Sequence, residues 1–156
     1  RTLFTETFWD FGGQAAQGLT ARISGPTEQE QALLARWARI REIRDVVNKE
    51  IEAVRTAGGV GSSLQANVSV HAGDADRALL DSLGEDLKFV FITSVACVRP
   101  PAEGDVLRVE VTPSSAMKCE RCWHWRDDVG QDHAHPTLCG RCVSNLYGAG
   151  EPRTVA

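Results

Sequence analysis

The sequence lacks a long hydrophobic run, an excess of basic residues and a recognisable leader. Its longest nearly apolar stretch, Phe89 to Val98, has ten residues, whereas a helix that crosses a bilayer needs about twenty. Seventeen basic residues against 21 acidic ones give a net charge of −4, which excludes a wholly basic nucleic-acid-binding surface and leaves only local contacts. The start, at Arg1, has neither the basic region nor the apolar block of a signal peptide. We therefore expect a piece of a longer cytoplasmic protein with no membrane partner.

The composition excludes further classes of protein. Of the 156 residues, 42% are hydrophobic and 24% are charged, as in ordinary globular domains and unlike fibrous or disordered chains. Five cysteines are too few for a disulfide-dense secreted domain, and four of them form two C-x-x-C pairs, which is typical of a metal site in a reducing compartment. The fifth, Cys97, lies in an apolar run, and we expect it to be a buried core thiol.

Apolar residues that recur every three or four positions predict a long amphipathic helix. Thr27 is placed to cap its start, and Glu30 completes a capping box. The pair Gly58-Gly59 provides the stop after about thirty residues. The segment from Arg36 to Arg44 has four arginines against one glutamate, which indicates either a solvated face or a binding surface. The apolar positions are Leu33, Trp37, Ile40, Ile43, Val47, Ile51 and Val54.

Shorter periodic segments follow the helix and predict a small sheet. Alternation over Gln65 to His71 indicates a strand, and a short helix is expected from about Asp74 to Leu83. The apolar run from Leu87 to Val98 predicts a second strand that is buried on both faces. Alternation over Val106 to Val111 predicts a third. The sequence therefore predicts an α+β fold, in which a small mixed sheet with one crossing helix follows the long amphipathic helix.

The two C-x-x-C pairs predict a zinc site of the ribbon type. Cys119-Glu-Arg-Cys122 and Cys139-Gly-Arg-Cys142 are 16 residues apart, which fits the spacing of four-cysteine zinc modules. Each pair directs two thiolates at one ion, so that the four sulfurs complete the tetrahedron that Zn²⁺ accepts. No position remains for a reactive water, and we expect one structural zinc ion. Two disulfides or four free thiols are the alternatives.

Other residues near these pairs are expected to lie outside the metal's ligand set. His124, His133 and His135 are close in sequence, but thiolate is the softer ligand and four cysteines already suffice. Four thiolates around Zn²⁺ leave a formal charge of −2, which nearby cations can offset. The cations placed to do so are Lys118, Arg121 and Arg141.

Basic and aromatic residues alternate around the first pair. The segment from Lys118 to Arg126 reads K-C-E-R-C-W-H-W-R. Guanidinium groups for phosphates and indole faces for unstacked bases are what single-stranded RNA requires. Alternatively, both tryptophans fill the small core under the zinc. The candidate RNA-binding residues of this segment are Lys118, Arg121, Trp123 and Arg126.

The predicted elements divide the chain into four segments. These are an irregular strap over residues 1–26, a helix with its exit loop over 27–63, a small α/β region over 64–113 and a zinc module over 114–156.

The cysteine-rich tail closely resembles the C-terminal zinc module of bacterial isoleucyl-tRNA synthetases, through K-C-E-R-C-W-H-W and C-G-R-C-V-S-N-L-Y-G-A-G-E-P-R. Upstream, I-R-D-V-V-N-K-E-I-E-A-V-R (Ile43 to Arg55) and V-G-S-S-L-Q-A (Val60 to Ala66) resemble the last helix of that family's anticodon-binding domain and its exit. The segment L-G-E-D-L-K-F-V-F-I-T-S (Leu83 to Ser94) continues the resemblance through the connecting α/β region.

The resemblance implies a function in tRNA binding. Members of the family join isoleucine to its tRNA through an isoleucyl-adenylate made from ATP, and their C-terminal part binds the anticodon region. It implies RNA contacts for Arg121 and Trp123, in the family's R-C-W positions, and for the helix that carries Arg44, Asn48 and Lys49. The implied partners are an isoleucine-accepting tRNA and the remainder of the synthetase.

Two other classes share parts of this pattern. DNA glycosylases of the formamidopyrimidine type have a terminal zinc finger with the same spacing, but the upstream helix and its G-S-S-L-Q-A exit have no counterpart there. A zinc ribbon that contacts proteins would need no RNA.

The sequence lacks the motifs for ATP chemistry in this family. An H-x-G-H segment, a K-M-S-K-S loop and a glycine-rich phosphate cradle are all absent, as is a Ser/His/Asp or Cys/His nucleophile pair. We therefore expect no catalytic residue in this chain, which should bind RNA but be inactive alone in amino-acid activation.

Overall fold

The computed structural model describes residues 27–101 and 107–151. They form four α-helices, a three-stranded sheet and a two-stranded sheet, which confirms the predicted α+β class. No helix among them is long and apolar enough to cross a membrane. The elements are α1 (Glu28–Thr56), β1 (Ala66–His71), α2 (Asp74–Asp81), α3 (Leu87–Phe91), β2 (Val95–Arg99), β3 (Arg108–Pro113), β4 (Met117–Lys118), β5 (Trp125–Arg126) and α4 (Gly140–Tyr147).

The backbone divides into two compact units, residues 1–39 and 40–156. The first unit is described for residues 27–39, which form the beginning of α1. The strap predicted for residues 1–26 lies outside the described residues. The division into four segments stays a prediction.

The predicted capping box starts α1. The Thr27 N–H donates to Glu30 Oε2 at 2.7 Å, and the Glu30 N–H donates to Thr27 Oγ1 at 3.3 Å. The hydrogen bond from the Thr27 backbone lowers the pKa of the Glu30 carboxyl. In the turns that follow, the large apolar side chains of Leu33, Leu34 and Trp37 are exposed.

A glycine-terminated Schellman motif ends α1, as the glycine pair predicts. Gly58 has a φ of +79°, in the left-handed region that glycine enters without steric cost. The Gly58 N–H donates to the Arg55 carbonyl, and the Gly59 N–H donates to the Val54 carbonyl, both at 2.9 Å. The last carbonyls of the helix are therefore satisfied where the chain turns away.

β1 is the central strand of the larger sheet, whose order is β2-β1-β3. Ser69 on β1 lies opposite Cys97 of parallel β2 and opposite Glu110 of antiparallel β3, so the predicted mixed sheet is confirmed. The connection from β1 to β2 passes through α2 and α3, which supply the crossover that a parallel pair requires. On β3 the predicted alternation is present, with Val109 and Val111 half-buried between exposed neighbours.

A single apolar core joins α1, α2 and α3 to one face of β1. On β1 the buried residues alternate with half-buried ones, because successive side chains point to opposite faces. The apolar face of α1 predicted from its periodicity contributes four buried residues in the second unit. The buried core residues are Ile40, Ile43, Val47, Ile51, Val60, Ala66, Val68, Val70, Ala72, Leu80, Leu87 and Phe91.

The predicted second strand, Leu87 to Val98, is wrong in its first half. Leu87–Phe91 forms α3 after a short 3₁₀ turn, and β2 begins only at Val95. Leu87 and Phe91 are both buried and lie four residues apart, which is the spacing of one helical face. A short apolar run does not by itself distinguish a buried strand from a buried helix.

β2 is also not buried on both faces. It is an edge strand, exposed at Val95 and Arg99 and half-buried between them. Cys97 is accordingly half-buried, and the prediction of a buried core thiol is wrong. Burial of both faces would require a layer packed on each side of the sheet, and β2 is an edge strand of a sheet of three strands.

Candidate metal centre and adjoining surface

Four cysteine sulfurs converge at one point in the second unit. The Sγ atoms of Cys119, Cys122, Cys139 and Cys142 all lie within 4.8 Å of one another, and those of Cys122 and Cys139 are 3.7 Å apart. Zinc–sulfur bonds near 2.3 Å in a tetrahedron place the sulfurs about 3.8 Å apart, whereas a disulfide requires about 2.05 Å. The cluster therefore fits one structural zinc ion, and the disulfide alternative does not fit.

The first cysteine pair lies on a tight turn between β4 and β5. These strands pair Met117 with Arg126 and Lys118 with Trp125. Within the turn, the Cys119 N–H donates to the His124 carbonyl at 2.9 Å, and the Trp123 N–H donates to the Cys119 carbonyl at 2.9 Å. The two-strand ladder and these bonds hold the loop that carries Cys119 and Cys122.

The second pair lies at the start of α4. Cys139 is the N-cap residue and Cys142 is in the first turn. Because only two residues separate them, both sulfurs lie at the same end of the helix. Burial raises the pKa of the Cys139 thiol, so its thiolate form requires a bound cation. The Cys139 N–H also donates to the Cys119 sulfur at 3.4 Å, which joins the two pairs directly.

The core beneath the sulfurs contains almost no other apolar side chain. Val129 is buried there, and Leu138 packs against it partly exposed. Trp123 is 59% exposed, so it does not fill this core, contrary to one alternative from the sequence. Trp125 is half-buried.

None of the three neighbouring histidines joins the sulfur cluster. His124 is buried, and burial lowers the pKa of its ring, with Arg141, Arg126 and Lys88 adding to the effect. His135 stacks on Tyr147 with ring centroids 3.9 Å apart. In the part of the chain that is described, the cysteines are the one group of His, Cys, Asp or Glu arranged to hold a metal.

The cations predicted to offset the thiolate charge take different positions. Arg121 contacts the sulfurs directly, since its Nη1 donates to Cys142 Sγ at 3.6 Å. The Arg141 guanidinium pairs with Glu151, which raises the pKa of Arg141, and the negative charge of nearby thiolates adds to the effect. Lys118 lies over an indole ring, with Nζ 5.4 Å from the ring centroid. Arg121 is therefore the cation in hydrogen-bonding contact with the cluster.

Asp128 links the two halves of the metal centre, a role that the sequence did not reveal. Its carboxylate accepts hydrogen bonds from Arg126 Nε at 2.9 Å and from the Gly140 N–H at 3.1 Å. Burial alone would raise the pKa of Asp128, but the bonds from Arg126 and Gly140 hold it below its ordinary value. The carboxylate thus caps α4 and fixes β5 to it.

Trp123 combines exposure with an uncommon backbone conformation. Its φ is +65°, a region that bulky residues rarely adopt and that glycine would occupy without strain. Its indole Nε1 donates to the Glu120 carbonyl at 3.1 Å, which fixes the ring on the surface. Such strain commonly marks a functional residue.

The other candidate RNA-binding residues between Lys118 and Arg126 differ in exposure and in their partners. Lys118 and Arg121 are exposed beside Trp123. Arg126 is half-buried and its guanidinium is paired with Asp128, which raises its pKa. Lys118 and Trp123 therefore form an exposed pair, with exposed Arg121 two residues before Trp123 and in contact with Cys142, whereas Arg126 is paired within the module.

The two candidates on α1 are separate from this group. Lys49 is exposed. Arg44 is half-buried, and its Nε is buried without a hydrogen-bond partner. Both belong to the second unit, but they lie on the long helix and not on the turn that carries Cys119 and Cys122.

A cleft of about 440 Å³ lies between β2 and the metal centre, lined by residues that include Asn67, Cys97 and Trp125. At one wall, the Ser94 hydroxyl accepts a hydrogen bond from the Trp125 N–H at 2.6 Å. The two residues are 31 positions apart, and no local pattern in the sequence signals such a contact.

Comparison with known proteins adds to this geometry. Residues 118–145, which include all four cysteines, match a family described as a zinc finger found in FPG and IleRS. An isoleucine–tRNA ligase of Bordetella petrii is 62% identical over 131 residues, which are 84% of this chain and 14% of the relative. This chain is homologous to part of the isoleucine–tRNA ligases.

The homology to isoleucine–tRNA ligases extends well beyond the zinc finger. The ligase of Ralstonia pickettii is 49% identical over 155 residues, or 99% of this chain and 15% of the relative. That of Thiobacillus denitrificans is 60% identical over 124 residues, or 80% of this chain and 13% of the relative. The resemblance found from the motifs is confirmed, for a chain that spans between 13% and 15% of these relatives' length.

Proposed function

We propose that this chain is a tRNA-binding segment of an isoleucine–tRNA ligase that works in the cytoplasm. In this proposal the segment contacts the anticodon region of an isoleucine-accepting tRNA, and the remainder of the ligase performs the ATP-dependent attachment of isoleucine. The chain itself supplies binding residues and no catalytic residue.

The proposed zinc ligands are Cys119, Cys122, Cys139 and Cys142. When bound, the ion supplies four fixed bonds and no reactive position. The protein's own contribution is to aim the sulfurs through the β4–β5 turn and the start of α4, with Arg121 donating to one of them.

The RNA proposal rests on the exposure and fixed position of the Trp123 ring. An indole ring that is exposed, held by a hydrogen bond to Glu120 and mounted on a strained turn contributes nothing visible to the core. Unstacked bases of a tRNA loop stack on such rings, and the ordering cost is low because the ring is already fixed. Lys118 lies over the ring, and Arg121, two residues before Trp123, keeps N–H donors for phosphate oxygens besides the one on Cys142.

The remaining proposed contacts are weaker candidates. Arg126 is ion-paired, and Arg44 is half-buried on α1, where Lys49 is exposed. Affinity for RNA falls as salt rises, and the slope of log K against log salt concentration reflects the number of phosphate contacts. Neutralising one exposed lysine or arginine that touches a phosphate should reduce this slope by about 1.

The test is Trp123→Ala in the zinc-loaded protein, with an unmodified transcript of an isoleucine-accepting tRNA. Because stacking contributes about 1–3 kcal/mol per base, we expect affinity to fall roughly tenfold or more. Trp123→Phe keeps an aromatic face and should retain most of the affinity. Tyr147→Ala removes another exposed aromatic side chain of the same module and is the matched control.

Zinc content must be measured beside affinity. A Trp123→Ala variant that keeps its zinc and binds the transcript normally would refute the RNA role. Tighter binding to a lesion-containing DNA duplex would instead favour the glycosylase-type finger that the zinc-finger family also includes.

A second assay tests the division of labour. Because the nucleotide-binding motifs are absent from this sequence, the isolated chain should show no isoleucine-dependent pyrophosphate exchange. Exchange above background would place an active site within it and contradict the proposal.

A further inference from the structure

Ser94 joins the sheet to the metal-bound turn. The residue is 4% exposed, and its hydroxyl donates to the Leu64 carbonyl at 2.5 Å and accepts from the Trp125 N–H at 2.6 Å. Its own N–H donates to the Ala66 carbonyl at 3.1 Å. One buried residue thus connects β5 with the turn before β1, through its side chain, and with the first residue of β1, through its backbone.

The segment that carries Ser94 is held by backbone hydrogen bonds and an unusual conformation. Ile92 has a φ of +56° and a ψ of +51°, a conformation that a β-branched residue adopts only when its surroundings impose it. Thr93 is fully buried, and its N–H donates to the Lys88 carbonyl at 2.9 Å. The end of α3 therefore determines where the Ser94 hydroxyl lies.

A second contact reaches the same turn from α3. The Phe89 and His124 rings meet edge to face, with centroids 5.6 Å apart. The Arg141 guanidinium, which lies between the second pair of cysteines in sequence, is 5.0 Å from the Phe89 ring centroid. His124 and Trp125 are thus both anchored, while the preceding residue, Trp123, is exposed.

We propose that Ser94 is a positioning residue for the exposed surface that Trp123 and Lys118 form. Ser94 acts through Trp125 and is supported by Phe89. This proposal rests on the RNA-binding function proposed above. Zinc fixes the shape of the turn, and Ser94 fixes its orientation relative to the sheet. A stacking contact made by one indole ring depends on that orientation, because binding groups lose affinity when their supporting contacts are loosened.

The first test replaces Ser94 by alanine in the zinc-loaded protein that contains the whole chain. Loss of one hydrogen bond to a buried partner should weaken binding of the isoleucine-accepting transcript about three- to tenfold. Hydrogen exchange at the Trp125 amide should become faster, and zinc content should stay at one ion per chain. Ser82→Ala removes a hydroxyl that donates to the Leu79 carbonyl at 2.6 Å and serves as the matched control.

A double-mutant cycle with Trp123→Ala separates this proposal from the one on which it rests. If Ser94 acts through Trp123, then Ser94→Ala should change affinity little in the Trp123→Ala background. A full additional loss there, or normal binding by Ser94→Ala alone, would overturn the positioning role. If Trp123→Ala itself leaves affinity unchanged, the RNA-binding function has failed instead.

If Ser94→Ala releases zinc, Phe89→Leu provides a second test of the same proposal. It removes the ring contacts to His124 and Arg141 while keeping an apolar side chain on α3. We expect weaker binding that is again non-additive with Trp123→Ala. Unchanged affinity in a zinc-loaded Phe89→Leu variant would count against orientation of the turn by α3.

Discussion

The α/β region and the zinc module are stabilised by different means. The core under the sheet contains twelve buried apolar residues, whereas the core of the zinc module contains Val129 and three buried cysteines. A fully buried aliphatic or aromatic side chain contributes about 1.5–3 kcal/mol. Burial alone therefore supports the first region but not the second, and metal ligation supplies the difference.

Removal of the metal should unfold the zinc module and leave the α/β region folded, and this is the largest expected effect. Structural zinc in small modules contributes roughly 10–16 kcal/mol of apparent binding free energy at neutral pH. A strong chelator should abolish amide protection in α4 while leaving protection in β1 intact. Hydrogen exchange with and without chelator measures both at once, and equal loss in the two regions would show that they do not differ as described.

Phe91→Ala should destabilise the α/β region and leave the zinc module intact. Phe91 is 1% exposed in the α/β core, and truncation of such a side chain costs about 3–5 kcal/mol. The midpoint of urea unfolding of the sheet should fall, while zinc stoichiometry stays at one. Phe89→Ala, at a more exposed position of the same helix, is the control and should destabilise the sheet less.

Asp128→Ala tests how far the zinc module depends on contacts besides the metal. Removing a partly buried carboxylate that accepts from Arg126 and Gly140 should cost about 1–3 kcal/mol. We expect faster zinc release to a competing chelator, with the sheet unaffected. Asp127→Ala removes an exposed neighbouring carboxylate, and a similar effect from both variants would refute the linking role of Asp128.

Ile92→Gly should have the smallest effect, and it should stabilise the α/β region. The left-handed conformation costs a side-chain-bearing residue about 1–2 kcal/mol, and the Ile92 side chain is 46% exposed, so about half of its packing is lost and the relief of strain should exceed that loss. Thermal unfolding of the zinc-loaded protein should shift upward. Val95→Gly, at an exposed strand position, should shift it downward, and the same direction for both would show that Ile92 is not strained.

Features encoded by neighbouring residues could be predicted from the sequence. The cap at Thr27 and Glu30, the stop at Gly58 and the convergence of the C-x-x-C pairs each depend on a few adjacent positions. Their geometry follows from short-range hydrogen bonds or from a single metal ion, which leaves few alternatives.

Features that depend on distant parts of the chain could not be predicted. The sequence predicts a strand where α3 forms, because five residues are too few to establish a period, and the tertiary core decides between the alternatives. The contact from Ser94 to Trp125 joins serine and backbone groups that carry no pattern. The exposure of Trp123 likewise depends on the turn conformation and not on the residue type.

The strand order of the larger sheet has a consequence for synthesis of the chain. β1 is central, but it leaves the ribosome before both of its neighbours, so both of its edges stay unpaired until β2 and β3 have emerged. Unpaired strand edges invite association between nascent chains. The four clustered cysteines follow β3 in the sequence, so the ion is captured after the strands that need protection are complete. Shortage of zinc during translation should therefore leave a folded sheet with an unfolded tail.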